Sequence, residues 1–325
     1  MLPPKPCAVS PLQPPLSPQG FNFLMTFPDH RSNPAGRGGD QPFVRVQSLG
    51  SGSSGNAFLI EHDRASFLLD CGVGIRTLRR AMMDRQQAPG DLDAILITHE
   101  HIDHIRTLPQ VPGLNVPVIA SRGTFSRTRI PEQRWLPITP SVPIEIAGAT
   151  IRALAVRHDA AEPCGFMIQL PTVTISILTD LGSWEEHLLE PLLASNLIVL
   201  EANHDVEMLR RGPYPAHLKR RVASAVGHLS NDDCGTALAA VATHGSRTAQ
   251  VWLAHLSGTN NRPDVATTTI NAALHRVDHQ IPVIPLPRGT VGPVWTPGSG
   301  PAVREQHGHA PGGLDSTTQL AFDGF

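Results

Sequence analysis

Between residues 43 and 295 the chain alternates short apolar runs with longer segments of helical spacing. FVRVQSLG (43–50), AFLIEH (57–62) and SFLLD (66–70) predict strands, and the Gly-Ser punctuation at 50–55 predicts the turn between the first two. IRTLRRAMMDR (75–85) repeats with helical period and carries Arg and Asp on its outer face. DAILITH (93–99) predicts a short buried strand that stops on a histidine. Further strands are expected over 116–120, 151–156, 165–170, 173–179, 196–201 and 250–254. Helices are expected over 184–194, 204–210, 215–222, 231–243 and 263–276, with Asn231 and Asp232 as a plausible N-cap of the fourth. No segment repeats with a fixed period.

The two ends break this pattern. Residues 1–42 hold ten of the 31 prolines, including pairs at 3–4 and 14–15. Proline lacks a donor and fixes its own backbone, so 1–42 is read as a disordered extension, with a start at Met25 or later as an alternative. It has neither the charge nor the apolar stretch of a signal peptide. The segment 296–325, rich in Gly, Pro, Ser and polar residues, is read as a second disordered tail, leaving 43–295 as one domain.

Composition narrows the function. With 26 basic and 28 acidic side chains, a globally basic nucleic-acid binder is excluded, although a local basic patch is not. No apolar run reaches the roughly 18 residues of a membrane span, so the cytoplasm is the expected compartment. Four cysteines without CxxC spacing argue against a disulfide scaffold or a thiolate zinc finger. The excess is in histidine, with 16 residues.

The histidines concentrate where chemistry is expected. ThrHisGluHisIleAspHis (98–104) follows a buried strand. In extended chain His99 and His101 point to one side. A following helical turn would bring Asp103 and His104 back to the same mouth. Four N and O donors approaching from two directions suit two borderline metal ions better than one. Downstream, His158, Asp180 and His255 each end or follow an apolar strand, which would deposit them at one sheet edge. Asp70 also ends a strand and is expected to support the site by receiving an N–H from a ligand histidine.

In this order the residues are similar to the metallo-β-lactamase superfamily. The segments SLGSGSSGNAFLIE (48–61), ILITHEHIDHI (95–105), HDAAEPCGFMI (158–168) and ILTDLG (177–182) resemble its YycJ/WalJ (VicX) branch. So do VLEANHDVEMLRRGPYPAHLKRR (199–221), GHLSNDD (227–233) and HLSGTNNRP (255–263). The resemblance implies an α+β fold, a four-layer αββα sandwich with metals at one edge. Carried over, it implies that His99, His101 and His158 hold one metal and that Asp103, His104 and His255 hold the other, with Asp180 bridging. It also implies a nuclease acting on DNA 5′ ends in DNA repair. GlyHisLeuSer (227–230) and GluAlaAsnHis (201–204) resemble catalytic segments of ribonuclease Z enzymes, which would make His228 a proton donor. The chain has no room for the large β-CASP insert of some relatives.

Two divalent ions, Zn²⁺ or Mn²⁺, would bridge a hydroxide and neutralise charge developing on a phosphodiester. Asp103, Asp180 and His228 are the expected catalytic groups. Substrate contacts are expected from His204, Arg210, Arg211, Tyr214, Lys219 and Arg220, since 210–221 holds five basic side chains and the only tyrosine. The SGSSGN loop (51–56) offers backbone N–H groups beside the site. Alternatives are hydrolysis of RNA or of a small ester, thioester or lactam, and a metal-stabilised regulatory module without turnover. The expected partner is nucleic acid rather than membrane, and the sequence leaves monomer and homodimer open.

Overall fold

Strand pairing in the computed structural model divides the described residues, 43–298 without 64, 111–115, 141 and 246–248, between two seven-stranded sheets. The expected 1–42 extension and the 296–325 tail beyond 298 lie outside the described residues.

The first sheet contains β1 (Val44–Gly50), β2 (Ala57–His62), β3 (Ala65–Leu69), β4 (Ala94–Leu96), β5 (Val118–Ala120) and β6 (Trp135–Pro137). The second contains β7 (Ile144–Ile146), β8 (Ala149–Ala155), β9 (Cys164–Gln169), β10 (Thr174–Leu178), β11 (Leu197–Glu201), β12 (Gln250–Ala254) and β13 (Val283–Pro285). A last strand, β14 (Val294–Trp295), pairs with β1 on the edge of the first sheet. The helices are α1 (Ile75–Met83), α2 (Ile102–Ile105), α3 (Arg122–Arg127), α4 (Leu189–Leu193), α5 (Val206–Arg211), α6 (Ala216–Val222), α7 (Asn231–His244) and α8 (Pro263–His275).

Side-chain alternation explains the layers. Phe58 and Ile60 of β2 point between the sheets, where they join Phe67, Phe166 and Trp252 in a shared core. Leu59 and Leu68 point the other way, onto Leu78 and Met82 of α1. Across the molecule Ile198, Leu200 and Leu253 face α7 and α8 through Leu238, Ile270 and Leu274. Both faces of the central strands are buried, so their sequences read as continuous apolar runs. This is the expected αββα sandwich, and the described residues lie in one compact unit. No helix among them is long and apolar enough to cross a membrane.

Several elements differ from expectation. The 184–194 helix shortens to α4, because Pro191 has no N–H and is tolerated only in a first turn. The 204–210 helix starts instead at Val206, where Asp205 Oδ1 accepts the Met208 N–H at 2.8 Å, while His204 bridges to Ser230. The cap of α7 is Ser230, whose Oγ accepts the Asp233 N–H at 3.1 Å, and Asn231 turns inward to pair with Asn261. The sequence also left β6, β7, β13 and β14 unpredicted. These are the sheet edges, two or three residues long, and two of them contain proline.

Strands β3 to β6 run parallel, as do β10 to β13. Parallel strands end at the same edge. That edge receives Asp70 and His99 from the first sheet and Asp180, Glu201 and His255 from the second.

Candidate metal centre

Three of these strand-end residues have left-handed backbones: Asp70 at φ 58°, Asp180 at φ 55° and His255 at φ 55°. For a residue with a Cβ this costs on the order of 1–2 kcal/mol. The turn ends each strand and leaves the side chain at the shared edge. In the 98–104 motif the chain bends at Thr98 and Glu100, and His101 (ψ 148°) stands at the N-cap position of α2. Asp103 and His104 then come back on the helix, as the spacing required.

The seven expected ligand residues converge. Described side chains form overlapping groups: His99, His101 and His158; Asp103, His104 and His255; His99, His104 and Asp180; and Asp180, Glu201, His228 and His255. The rings of His99 and His104 are 4.1 Å apart, and those of His99 and His158 are 5.0 Å apart. Asp180 lies among them, with Oδ2 3.0 Å from His104 Nε2 and Oδ1 3.8 Å from His158 Nε2.

Hydrogen bonds fix which ring nitrogens face inward. His104 Nδ1 lies 2.7 Å from Asp70 Oδ2, which directs Nε2 to the cluster. His158 Nδ1 lies 3.0 Å from the Gly227 carbonyl. His255 Nδ1 lies 2.9 Å from Glu201 Oε1. Asp70 is itself held, accepting the Thr98 N–H at 2.9 Å and the Thr98 hydroxyl at 3.0 Å.

These inward atoms fit metal ions. His99 Nε2 and His255 Nε2 are buried without a hydrogen-bond partner among the described residues. Such atoms are costly to bury unless something else satisfies them. Burial, reinforced by His104, holds His99 well below the usual imidazole range, and burial likewise lowers His158, leaving both as neutral donors. Burial would also lower His104 and His255, but for His104 the carboxylates of Asp70, Asp180 and Asp103 outweigh it and raise it well above that range. Asp180, with Asp103 and Glu201, does the same for His255. Burial opposes ionisation of Asp180, yet His255 and His104 keep it well below the ordinary carboxylate range.

Glu201 is the residue the sequence reading underused. It ends the apolar run LIVLE, the same signal that marks Asp180. Its Oε1 lies 2.9 Å from Nδ1 of both His228 and His255, and its Oε2 accepts the Leu181 N–H at 2.7 Å. Burial opposes its charge, but His228 and His255 prevail and bring its pKa to about 2. Asn56 was also missed. Its amide nitrogen lies 3.1 Å from His104 Nε2 and 3.4 Å from Asp103 Oδ2.

The expected substrate contacts are dispersed. His204 is buried, and its Nδ1 has no partner among the described residues. Arg210 and Arg211 are exposed, and both pair with Glu207, at 2.7 and 3.0 Å. Lys219 Nζ donates to the Arg210 carbonyl at 2.8 Å, Tyr214 is half-buried, and Arg220 is exposed. Arg221 pairs at 2.7 Å with Asp159, the neighbour of His158.

Comparison with known proteins identifies the family. Residues 66–256 match the profile of the β-lactamase superfamily domain. The chain is 32% identical to exodeoxyribonuclease YycJ of Bacillus anthracis, over 70% of this chain and 87% of that one. It is 34% identical to exodeoxyribonuclease WalJ of Streptococcus pneumoniae, over 71% of this chain and 88% of that one. Among solved structures, the metallo-β-lactamase fold protein YhfI of Bacillus subtilis superposes with a TM-score of 0.60. It is 18% identical and covers 79% of this chain and 100% of that one, so it speaks for the fold alone.

Proposed function

Because the chain belongs to the β-lactamase superfamily and is a metal-dependent hydrolase, we propose that it is a dinuclear phosphodiesterase, a 5′-to-3′ DNA exonuclease of DNA repair working in the cytoplasm. The observation that carries this reading is Asp180 standing between two donor groups, His99/His101/His158 and Asp103/His104/His255. The relatives named exodeoxyribonucleases support DNA as the polymer.

His99, His101 and His158 would hold one divalent ion and Asp103, His104 and His255 the other, with Asp180 shared. His/Asp donors without a thiolate suit Zn²⁺ or Mn²⁺. Bound there, the ions supply an activated water and neutralise charge on the phosphate. Asp103 would orient the attacking water by accepting a hydrogen bond from it. Glu201 accepts a hydrogen bond from the Nδ1–H of His228, which leaves Nε2 as the atom that would pass a proton to the departing oxygen. Asp70 and Gly227 keep the His104 and His158 rings from rotating. His204 would support the fixed side of the site, and Arg210, Arg211, Lys219, Arg220 and Tyr214 would follow the strand.

The test is release of label from 5′-labelled and 3′-labelled DNA, single-stranded and duplex, with RNA as control, in Zn²⁺ and in Mn²⁺. The 5′ label is expected first. Release of the 3′ label first, or cutting of neither polymer, overturns the reading.

A further inference from the structure

The guanidinium of Arg288 lies across Gly258. A Cβ built on that glycine would fall 1.8 Å from Nη1, 2.2 Å from Cζ and 2.3 Å from Nη2. The Arg288 stem also runs along Gly52, whose own Cβ would lie 3.8 Å from Cγ and Nε. These glycines belong to two loops that meet at the candidate centre. Gly258 is three residues past His255. The other loop is tied to His255 by Ser51 Oγ, which accepts the His255 N–H at 2.8 Å, and it ends on Asn56 beside His104.

A second arginine reaches the same loop. Arg106 directly follows α2 and donates from Nη1 to the Ser54 carbonyl at 2.8 Å. Ser53 and Ser54, at the loop tip, are exposed, and so are both arginines. Among the described residues neither Arg106 nor Arg288 meets a carboxylate. Arg152, Arg157, Arg210, Arg211, Arg221 and Arg262 each do. Two guanidinium groups without a carboxylate thus reach the Ser51–Asn56 loop, Arg106 at Ser54 and Arg288 at Gly52, and the loop exposes two hydroxyls. Such a fork matches the oxygens of a phosphate, and its placement in advance lowers the entropic cost of binding.

We propose that Arg288 and Arg106, with the Ser53–Ser54 tip between them, form a phosphate-holding subsite beside the metal centre. The subsite rests on the nuclease reading. It grips a phosphate of the strand, either the terminal 5′-phosphate or an internal phosphodiester. Gly258 serves it by leaving room for the guanidinium.

The probe is single-stranded DNA with phosphorothioate linkages, in 5′-phosphorylated and 5′-hydroxyl forms, with affinity read by fluorescence anisotropy. Arg288→Gln is expected to weaken binding about tenfold, the scale of one charge-assisted hydrogen bond. Gly258→Ala, with an unchanged melting curve, is expected to lose a similar factor, because its Cβ displaces the guanidinium. The double variant is expected to bind no more weakly than either single one. A loss confined to the 5′-phosphorylated probe assigns the terminal phosphate; an equal loss on both assigns an internal one. Unchanged affinity of Arg288→Gln for both probes, beside tight wild-type binding, overturns the subsite alone. Wild-type protein that binds neither probe overturns the nuclease reading and the subsite with it.

Discussion

Glu201 Oε1 lies 2.9 Å from Nδ1 of His228, and the same oxygen is 2.9 Å from Nδ1 of His255. One buried carboxylate therefore orients both the proposed proton donor and a proposed metal ligand. Glu201→Gln keeps the volume but removes the negative charge, and with its oxygen on the two rings its –NH2 meets the Leu181 N–H, donor against donor. It is expected to lower kcat about 100-fold, at the lower end of what a positioned acid–base group contributes, with KM changed little. Steady-state kinetics beside a melting curve tests this. A fall in Tm with kcat intact would make Glu201 a purely structural group.

Asp180 has a left-handed backbone and two oxygens that face different histidines, Oδ2 toward His104 and Oδ1 toward His158. Asparagine tolerates that backbone and alanine does not. Asp180→Asn is therefore expected to fold normally, to bind fewer metal ions per chain by elemental analysis, and to lose hydrolysis while still binding DNA. Asp180→Ala should melt lower than Asp180→Asn by about 1 kcal/mol of stability. Full metal content in Asp180→Asn would remove Asp180 from between the two groups.

Asp70 meets the proposed centre at His104 Nδ1, 2.7 Å away, and through the Thr98 hydroxyl, which lies 3.1 Å from His99 Nδ1. Residues that hold a ligand ring in this way commonly contribute 10–100-fold in metal affinity. Asp70→Asn is expected to shift the half-inhibiting chelator concentration down by about that factor. Restoration of the rate by added metal distinguishes weakened binding from misfolding.

Gly72 passes the Asp103 carbonyl so closely that a Cβ would lie 1.5 Å from its oxygen. Both groups are backbone, so neither can swing aside. Gly72→Ala should cost about 3 kcal/mol, the upper end for overpacking. That corresponds to a Tm lower by about 6–12 °C, with metal content reduced because α2 must shift. Gly74→Ala is the control, since nothing lies within 4 Å of a Cβ there, and it should melt like the wild type.

Elements buried on both faces were legible in the sequence because their apolar runs are unambiguous, as in LIVLE of β11 and TISIL of β10. The edge strands were not, because a three-residue strand such as Val283–Pro285 carries almost no periodic signal. The same split holds at the site. His99 to His104 sit in one short motif, and their convergence follows from strand and turn geometry. Asn56 reaches His104, and Arg288 reaches Gly258 and Gly52, through tertiary contacts, and each is an ordinary polar residue in its own segment. The acidic partners of Arg210 and Arg221 were equally invisible, because a count of basic residues does not reveal which charges are already paired.

That pairing changes what the 210–221 segment can contribute. Glu207 offsets charge on both Arg210 and Arg211, whereas Arg220 is exposed and has no carboxylate among the described residues. A side chain that contacts a phosphate releases counterions on binding, and its removal lowers the slope of log affinity against log salt by about 1. Arg220→Ala is therefore expected to lower that slope by about 1 on single-stranded DNA. Arg210→Ala and Arg211→Ala should each lower it less, since each must first leave Glu207. Glu207→Ala frees both guanidinium groups and should tighten binding most at low salt, where unscreened charge counts most. Titrations of the four variants at several salt concentrations decide the matter. Equal slopes for all four and the wild type would remove this helical segment from the path of the strand.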